Sequence, residues 1–245
     1  MGPPAPDAGS RLPRYGIAFP TGITARAVDS PPGCAGPALA AALGLAGPRP
    51  TVVVNGTAAD LDPSLAAGVA AVLGPDGLAG LAATERLALV TGGTDAGIFS
   101  VLGRAMADRS VPLVGVAPRD LVTWPGCGPP GPRPGAIPLE PHHSHFVLVD
   151  GAAWGDETPA LLALAAALAA GVGSVAVICG GGPVTRNEAL GHARAGRPMV
   201  VLAGSGRFAD ELAAAPLPGA PITVCALAAG PAALVAAVVA ALGRG

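Results

Sequence analysis

Five short runs in this sequence hold the residue types that can do chemistry. Thr91-Gly92-Gly93-Thr94-Asp95-Ala96-Gly97 follows an apolar run and precedes a helix-compatible one. Glycines in such a turn let backbone come close to a ligand, and unpaired N–H groups at a helix start attract an anion. A plain strand-to-helix turn capped by Asp95 accounts for the same residues. Ile178-Cys179-Gly180-Gly181-Gly182-Pro183-Val184-Thr185-Arg186-Asn187-Glu188 repeats the arrangement. Three successive glycines are entropically unfavourable unless the backbone needs that freedom. Thr185 with Glu188 three residues on also reads as a capping box, which would give Glu188 a purely structural task. In Ala203-Gly204-Ser205-Gly206-Arg207-Phe208-Ala209-Asp210 an arginine stands at a helix start, where the macrodipole disfavours a cation. A phosphate gripped by the guanidinium resolves that conflict; a solvated arginine is the plainer reading. Asn55-Gly56-Thr57 is a shorter candidate of the same kind, after the apolar residues 52–54.

The fifth run, His142-His143-Ser144-His145, invites a metal, yet no Asp, Glu or Cys stands near it in zinc-like spacing. A hydrogen-bonded corner or a place beside a nucleotide suits these histidines better; no metal and no other cofactor is expected. No nucleophile elbow accompanies them, so a Ser–His–Asp triad is not indicated. There is no lysine in the chain, which removes a Walker lysine and any Schiff base from consideration. An anion must therefore be held by arginine and backbone N–H groups. With 14 basic and 16 acidic residues the net charge is −2, so no basic excess exists to follow a nucleic-acid backbone.

Elements must position these runs. Glycine and proline number 37 and 28 of 245 residues, enough to raise disorder, but 51% hydrophobic and only 12% charged residues argue for a packed core. Short Val/Ile/Leu-rich runs at 52–54, 87–90, 113–116, 146–149, 175–178, 199–202 and 222–224 have the character of buried parallel strands. Helix-compatible segments lie between most of them, at 63–73, 76–84, 95–108, 158–171, 185–195 and 207–215, with 231–243 closing the chain. This alternation predicts a single α/β domain, Rossmann-like and doubly wound, with a mainly parallel sheet covered by helices on both faces. The ligand crevice is then expected at the carboxyl ends of the strands. The domain is placed at 50–245, after an irregular arm over 1–49 that holds a short extended piece around 23–28 and one short alanine-rich helix. The proline-rich stretch 117–141 reads as a long functional or mobile loop.

Residues 222–243 carry no charge and are long enough to span a bilayer, but Gly230-Pro231 breaks them into strand, turn and helix, so no membrane span is expected. Cys34, Cys127, Cys179 and Cys225 form no C-x-x-C pair, and Met1 to Pro13 lacks a signal-like apolar stretch. A cytoplasmic protein is the expectation.

Taken in order, Thr91-Gly92-Gly93-Thr94-Asp95-Ala96-Gly97, His143-Ser144-His145-Phe146-Val147-Leu148-Val149-Asp150, Gly181-Gly182-Pro183 and Gly204-Ser205-Gly206-Arg207-Phe208-Ala209-Asp210 resemble the N-terminal homology region of melastatin-type TRP channels. That region belongs to the SLOG superfamily, and this chain looks like its prokaryotic, bacterial branch, LSDAT. The resemblance implies a Rossmann-like sensor of nucleotide-derived ligands such as ADP-ribose or its cyclic relatives, without chemistry of its own. It further implies phosphates on the 92–97 and 204–207 turns, with Arg207 as main charge partner, and assembly as a homo-oligomer. In some channel relatives the helix after the HSHF strand carries arginines; residues 158–171 here have none. Gly181-Gly182-Pro183-Val184-Thr185-Arg186-Asn187-Glu188 also resembles the PGGxGTxxE loop of LOG-type phosphoribohydrolases, with Gly180 and Val184 replacing a proline and a glycine. The alternative is therefore an N-glycosidic hydrolase of nucleoside monophosphates. Glu188 would be catalytic, assisted by Arg186, Arg104 or Arg207. No second well-placed carboxylate is evident from the sequence.

Overall fold

The computed structural model describes residues 12–243 except Ala46, Asp60, Arg109 and 129–133. Successive side chains of a strand point to opposite faces, so a strand buried along its whole length needs cover on both. Val52, Val53 and Val54 are all fully buried, and they face opposite cores. Val52 and Val54 join one core with Val69, Leu78, Ile98 and Leu234; Val53 joins the other with Leu39, Leu161, Ala189 and Phe208.

The chain begins with β1 (Arg14–Ala18), β2 (Thr24–Ser30), α1 (Gly36–Leu43) and β3 (Thr51–Gly56). It continues through α2 (Pro63–Leu73), α3 (Leu78–Thr84), β4 (Ala88–Thr91), α4 (Gly97–Ala105) and β5 (Leu113–Pro118). Two short strands, β6 (Val122–Thr123) and β7 (Ile137–Pro138), pair with each other before β8 (His145–Val149). The second half holds α5 (Thr158–Ala169), β9 (Ser174–Cys179), α6 (Pro183–Arg194), β10 (Met199–Ala203), α7 (Arg207–Ala214), β11 (Ile222–Ala226) and α8 (Gly230–Ala241). The main sheet has nine strands in the order β1-β2-β8-β5-β4-β3-β9-β10-β11, all parallel except for the β1–β2 pair. It is the Rossmann-like α/β domain expected from the alternation.

The part of the expected irregular arm that lies within the described residues is instead ordered sheet. β1 and β2 make a hairpin, and β2 pairs with β8 from Arg26 opposite His145 to Ser30 opposite Val149. Ile17, Phe19, Ala25 and Ala27 pack against Phe146 and Leu148 in a third core cluster. The extended piece expected around 23–28 is β2, whereas β1 escapes a search for Val/Ile/Leu runs because Ile17 is its single buried residue. The expected short helix is α1; residues 1–11 of the arm lie outside the described residues.

The 117–141 stretch carries β6 and β7, and its end is tied to the 92–97 turn by a bridge between Thr94 and Leu139. Residues 222–243 form β11, a short turn and α8, as the glycine–proline break predicts. Pro63–Thr84 is apolar and long enough by composition to cross a membrane. It consists of α2 and α3, whose Val69, Val72, Leu73, Leu78 and Ala82 are buried in the first core.

Candidate functional site

β3 and β9 are neighbours in the sheet, but the chain leaves β3 towards β4 and leaves β9 towards β10 on the other side. Such a switch opens a crevice at the carboxyl ends of the two strands. Here the strand ends approach closely: a Cβ on Gly56 would stand 1.9 Å from the carbonyl oxygen of Cys179, so glycine is required. Beyond Cys179 the chain turns through Gly180 (φ +64°) and Gly181 (φ +94°), conformations that side chains rarely adopt. The turn is stapled from both sides. Gly180 N–H donates to Ser205 Oγ and Gly181 N–H to Thr57 Oγ1, each at 2.8 Å. The carbonyls of Gly181 and Gly180 accept from Phe208 and Ala209 N–H at the start of α7.

α6 then begins at Pro183, with Gly182 at its N-cap and no side chain capping it. Thr185 lies inside the helix and its hydroxyl faces the carbonyl of Gly56 at 3.4 Å, so the capping-box reading of Thr185 and Glu188 does not hold. Glu188 is thereby released from a capping role. Its side chain, with those of Val184 and Thr185, lines a cleft of about 190 Å³. The opposite walls come from Gly92, Thr94 and Phe99 on the β4 side, Ile137 of β7, and Trp154 and Glu157 of the loop before α5.

Glu157 is the functional candidate that the sequence reading missed. It stands in Gly155-Asp156-Glu157-Thr158-Pro159, which reads as an ordinary helix start. The loop winds around Asp156, whose carboxylate accepts from Ala152 and Ala153 N–H, both at 2.9 Å. That winding exposes Trp154 and turns Glu157 inward, where it accepts from Gly155 N–H at 2.7 Å. Two buried carboxyls therefore face one cleft. Burial, and then the charge of Glu157, push the Glu188 carboxyl up to about 8 against the pull of a hydrogen bond from Asn55. Burial also raises Glu157.

Behind Glu188 runs a directional chain of hydrogen bonds. Arg197 can only donate, so His192 Nδ1, 2.7 Å from its guanidinium, must accept. His192 Nε2 then carries the proton and donates to Asn55 Oδ1 at 2.8 Å, which leaves the Asn55 amide to donate to Glu188. Burial, reinforced by the Arg197 charge, drives the His192 pKa down to about 3, which agrees with a neutral imidazole. Asn55 thus lies behind the cleft as a support for Glu188, while Gly56 lines it.

The other predicted turns are built differently. In the 92–97 turn, Gly93 N–H donates to Thr91 Oγ1, Asp95 N–H to the Pro138 carbonyl, and Ile98 N–H to the Thr57 carbonyl. Asp95 accepts from Ser100 rather than capping α4, and Ala96 occupies the N-cap without a side-chain bond. A Cβ on Gly97 would stand 2.0 Å from the Thr57 carbonyl oxygen, so this turn is packed against the β3 loop. In the 204–207 turn, Gly204 and Gly206 N–H both donate to the carboxylate of Asp210. A protein carboxylate thus holds the amides that a phosphate was expected to take. Arg207 is exposed, at φ +55°, and its guanidinium reaches back to Gly182, 3.3 Å from where a Cβ would stand. Of the other arginines considered, Arg186 is ion-paired with Glu211 and lies over the Phe208 ring, and Arg104 donates to Ser100.

The histidines form a corner behind the β4 turn. His143, fully buried, stands 2.8 Å from Thr91 Oγ1 and 2.7 Å from Glu140, which also holds His142. Burial opposes ionisation of Glu140, but hydrogen bonds from the two histidines hold its carboxyl below the usual range. Ser144 bonds the backbone of Leu113 at the amino end of β5, away from the cleft. The structure thus brings Gly56, Gly92, Thr94, Thr185 and Glu188 together around one cleft, with Gly182, Pro183 and Arg207 at the α6 end.

The sequence matches the family described as SLOG in TRPM, prokaryote, over residues 49–240. The chain belongs to this family. Among solved structures, this SLOG domain is similar to the molybdenum cofactor binding protein from the phototrophic bacterium Rippkaea orientalis. They share 15% identity and a TM-score of 0.53 over 78% of this chain and 96% of that one. It is also similar to the molybdenum cofactor carrier protein of Chlamydomonas reinhardtii, at 20% identity and a TM-score of 0.52, covering 80% and 99% of the two chains. At these identities the likeness concerns the fold. No curated protein matches the sequence.

Proposed function

We propose that this SLOG domain binds a phosphorylated riboside, a nucleotide or nucleotide derivative such as ADP-ribose or a cyclic relative. The phosphate would lie at the start of α6 and one ring of the ligand in the cleft. The observation that carries the reading is the α6 start itself. It has no side-chain cap, Arg207 reaches to its Gly182, and Val184, Thr185 and Glu188 continue from it into the cleft. An uncapped helix start beside a guanidinium is a site for an anion. The phosphate is therefore assigned to the 181–185 segment and Arg207, rather than to the amides of the 92–97 and 204–206 turns. A cavity of 150 Å³ already accepts benzene, so the cleft, at about 190 Å³, takes one ring system at a time. The names of the two fold neighbours, a molybdenum cofactor binding protein and a molybdenum cofactor carrier protein, support a small-molecule ligand for this chain. A cytoplasmic protein that assembles with copies of itself is part of the same reading, and light scattering tests the assembly.

The test is thermal unfolding with AMP, ADP-ribose and cyclic ADP-ribose. A ligand selective for the native state must raise the midpoint. No shift from any of the three at millimolar concentration would sink the proposal.

A second reading, hydrolysis of the N-glycosidic bond of nucleoside monophosphates, is favoured by the buried pair Glu157 and Glu188. A pair of carboxyls in one cleft, with Glu188 pushed up to about 8, is the usual kind of equipment for acid–base work on a glycosidic carbon. Glu188 would stabilise the ribosyl cation or handle the proton of water. Incubation with AMP should release adenine, and Glu188→Ala should abolish the release. Adenine production that survives the substitution would count against this reading.

A further inference from the structure

Three glutamates are buried in the described fold: Glu140, Glu157 and Glu188. Glu140 is matched by two histidines within 2.7 Å. Glu157 and Glu188 face the cleft with backbone N–H groups and an amide as their hydrogen-bond donors, and among the described residues no basic side chain lines that cleft. Each nearby cation among the described residues is engaged elsewhere or points elsewhere. Arg186 serves Glu211, Arg104 serves Ser100, Arg207 lies at Gly182, and Arg197 is separated from Glu188 by His192 and Asn55. Buried carboxylates without a counter-charge are costly, and the cost disappears when a cation is brought to them.

Two further features of the cleft concern what enters it. Its walls include Phe99, Ile137 and the exposed indole of Trp154, and aromatic faces attract cations. Thr94 lines the cleft and is 1% exposed, and its buried hydroxyl has no hydrogen-bond partner among the described residues. A buried hydroxyl left unsatisfied by the protein calls for a polar group on a ligand.

We propose that the ring held in this cleft is a positively charged heteroaromatic ring bearing a polar substituent, of which a pyridinium ribonucleotide is the simplest form. The ring's charge would sit against Glu157 and Glu188, its face against Trp154, and its substituent at Thr94. The inference rests on the phosphorylated-riboside reading above and narrows it to a cationic base.

The probes are nicotinamide mononucleotide, whose ring is a pyridinium, its reduced form, which has the same substituents on an uncharged ring, and AMP. Calorimetry on the native protein should give at least tenfold tighter binding of the pyridinium form than of either other probe. Binding should also release protons, seen as a dependence of the heat on buffer ionisation. Glu157→Gln should bring the pyridinium and reduced forms within about threefold of each other, and Thr94→Val should weaken both. Equal or tighter binding of the reduced form or AMP to the native protein would overturn the charge inference and leave the riboside site standing. Failure of all three to bind would overturn the cationic-ring inference, and failure of ADP-ribose and cyclic ADP-ribose as well would overturn the riboside reading with it.

Discussion

The turns that lead into α6 and α7 look alike in sequence, each a glycine run at a strand end followed by a helix. Their amides meet different fates. At α7, Gly204 and Gly206 donate to Asp210, and Phe208 and Ala209 donate to the carbonyls of Gly181 and Gly180. That turn is closed on groups of the protein. At α6 the staples from Thr57 and Ser205 stop at Gly181, and the helix start beyond it carries no side-chain cap. A glycine-rich turn is free to bind only where the chain withholds its own acceptors, and these two turns differ in that respect: α7 braces, and α6 is the one proposed to receive. Arg207 belongs to the bracing turn by sequence and to the receiving one by reach.

The largest effect expected concerns the protonation of the receiving side. Glu188 keeps its proton in the fold up to about pH 8, whereas in an unfolded chain a glutamate ionises near pH 4.3. Between those values the fold retains a proton that the unfolded chain has lost, so stability falls as pH rises. Glu188→Gln removes this loss. In urea titrations its stability relative to the parent should grow by up to about 1.4 kcal/mol per pH unit between about pH 5 and pH 8. A difference independent of pH would mean that the Glu188 carboxyl does not hold its proton in the fold.

Next in size, Arg207→Gln should weaken binding of AMP or ADP-ribose about 10- to 100-fold, the value of a charge-assisted bond of about 1.5–3 kcal/mol. The unfolding midpoint should barely move, because the side chain is exposed. An unchanged affinity would place the anion elsewhere. The smallest effect is the mirror image: Asp210→Ala should lower stability by about 1 kcal/mol and leave affinity within twofold. Tighter binding in that variant would show that the anion competes for the α7 turn after all.

The sheet was legible because its central strands are Val/Ile/Leu runs buried on both faces, and periodicity finds such runs wherever they occur. β1 was not, because Ile17 is its single buried residue; β2 showed only as an extended piece over 23–28, because its buried positions mix Ala25, Ala27, Val28 and Ser30 and its partner β8 lies more than a hundred residues away. Of the site, the glycines of the 180–182 turn and Glu188 could be singled out from sequence. The role of Glu188 could not be separated from capping, since a helix starting three residues later would have made Thr185 its cap. Glu157 left no distinguishing mark. Its direction depends on the Asp156-wound loop, a local feature that the Gly155-Asp156-Glu157-Thr158-Pro159 run encodes but does not advertise. Asp210 was visible as an acidic residue in the first turn of its helix, and it was the available clue that the α7 turn satisfies itself.

The switch between β3 and β9 has a mechanical consequence. Gly92, Thr94 and Phe99 belong to the half of the sheet that grows from β4, while Val184, Thr185 and Glu188 belong to the half that grows from β9, and the cleft takes a wall from each. A molecule lodged there is a rivet across the seam of the sheet. Its arrival should slow amide hydrogen exchange in strands on both sides at once, including strands that it does not touch.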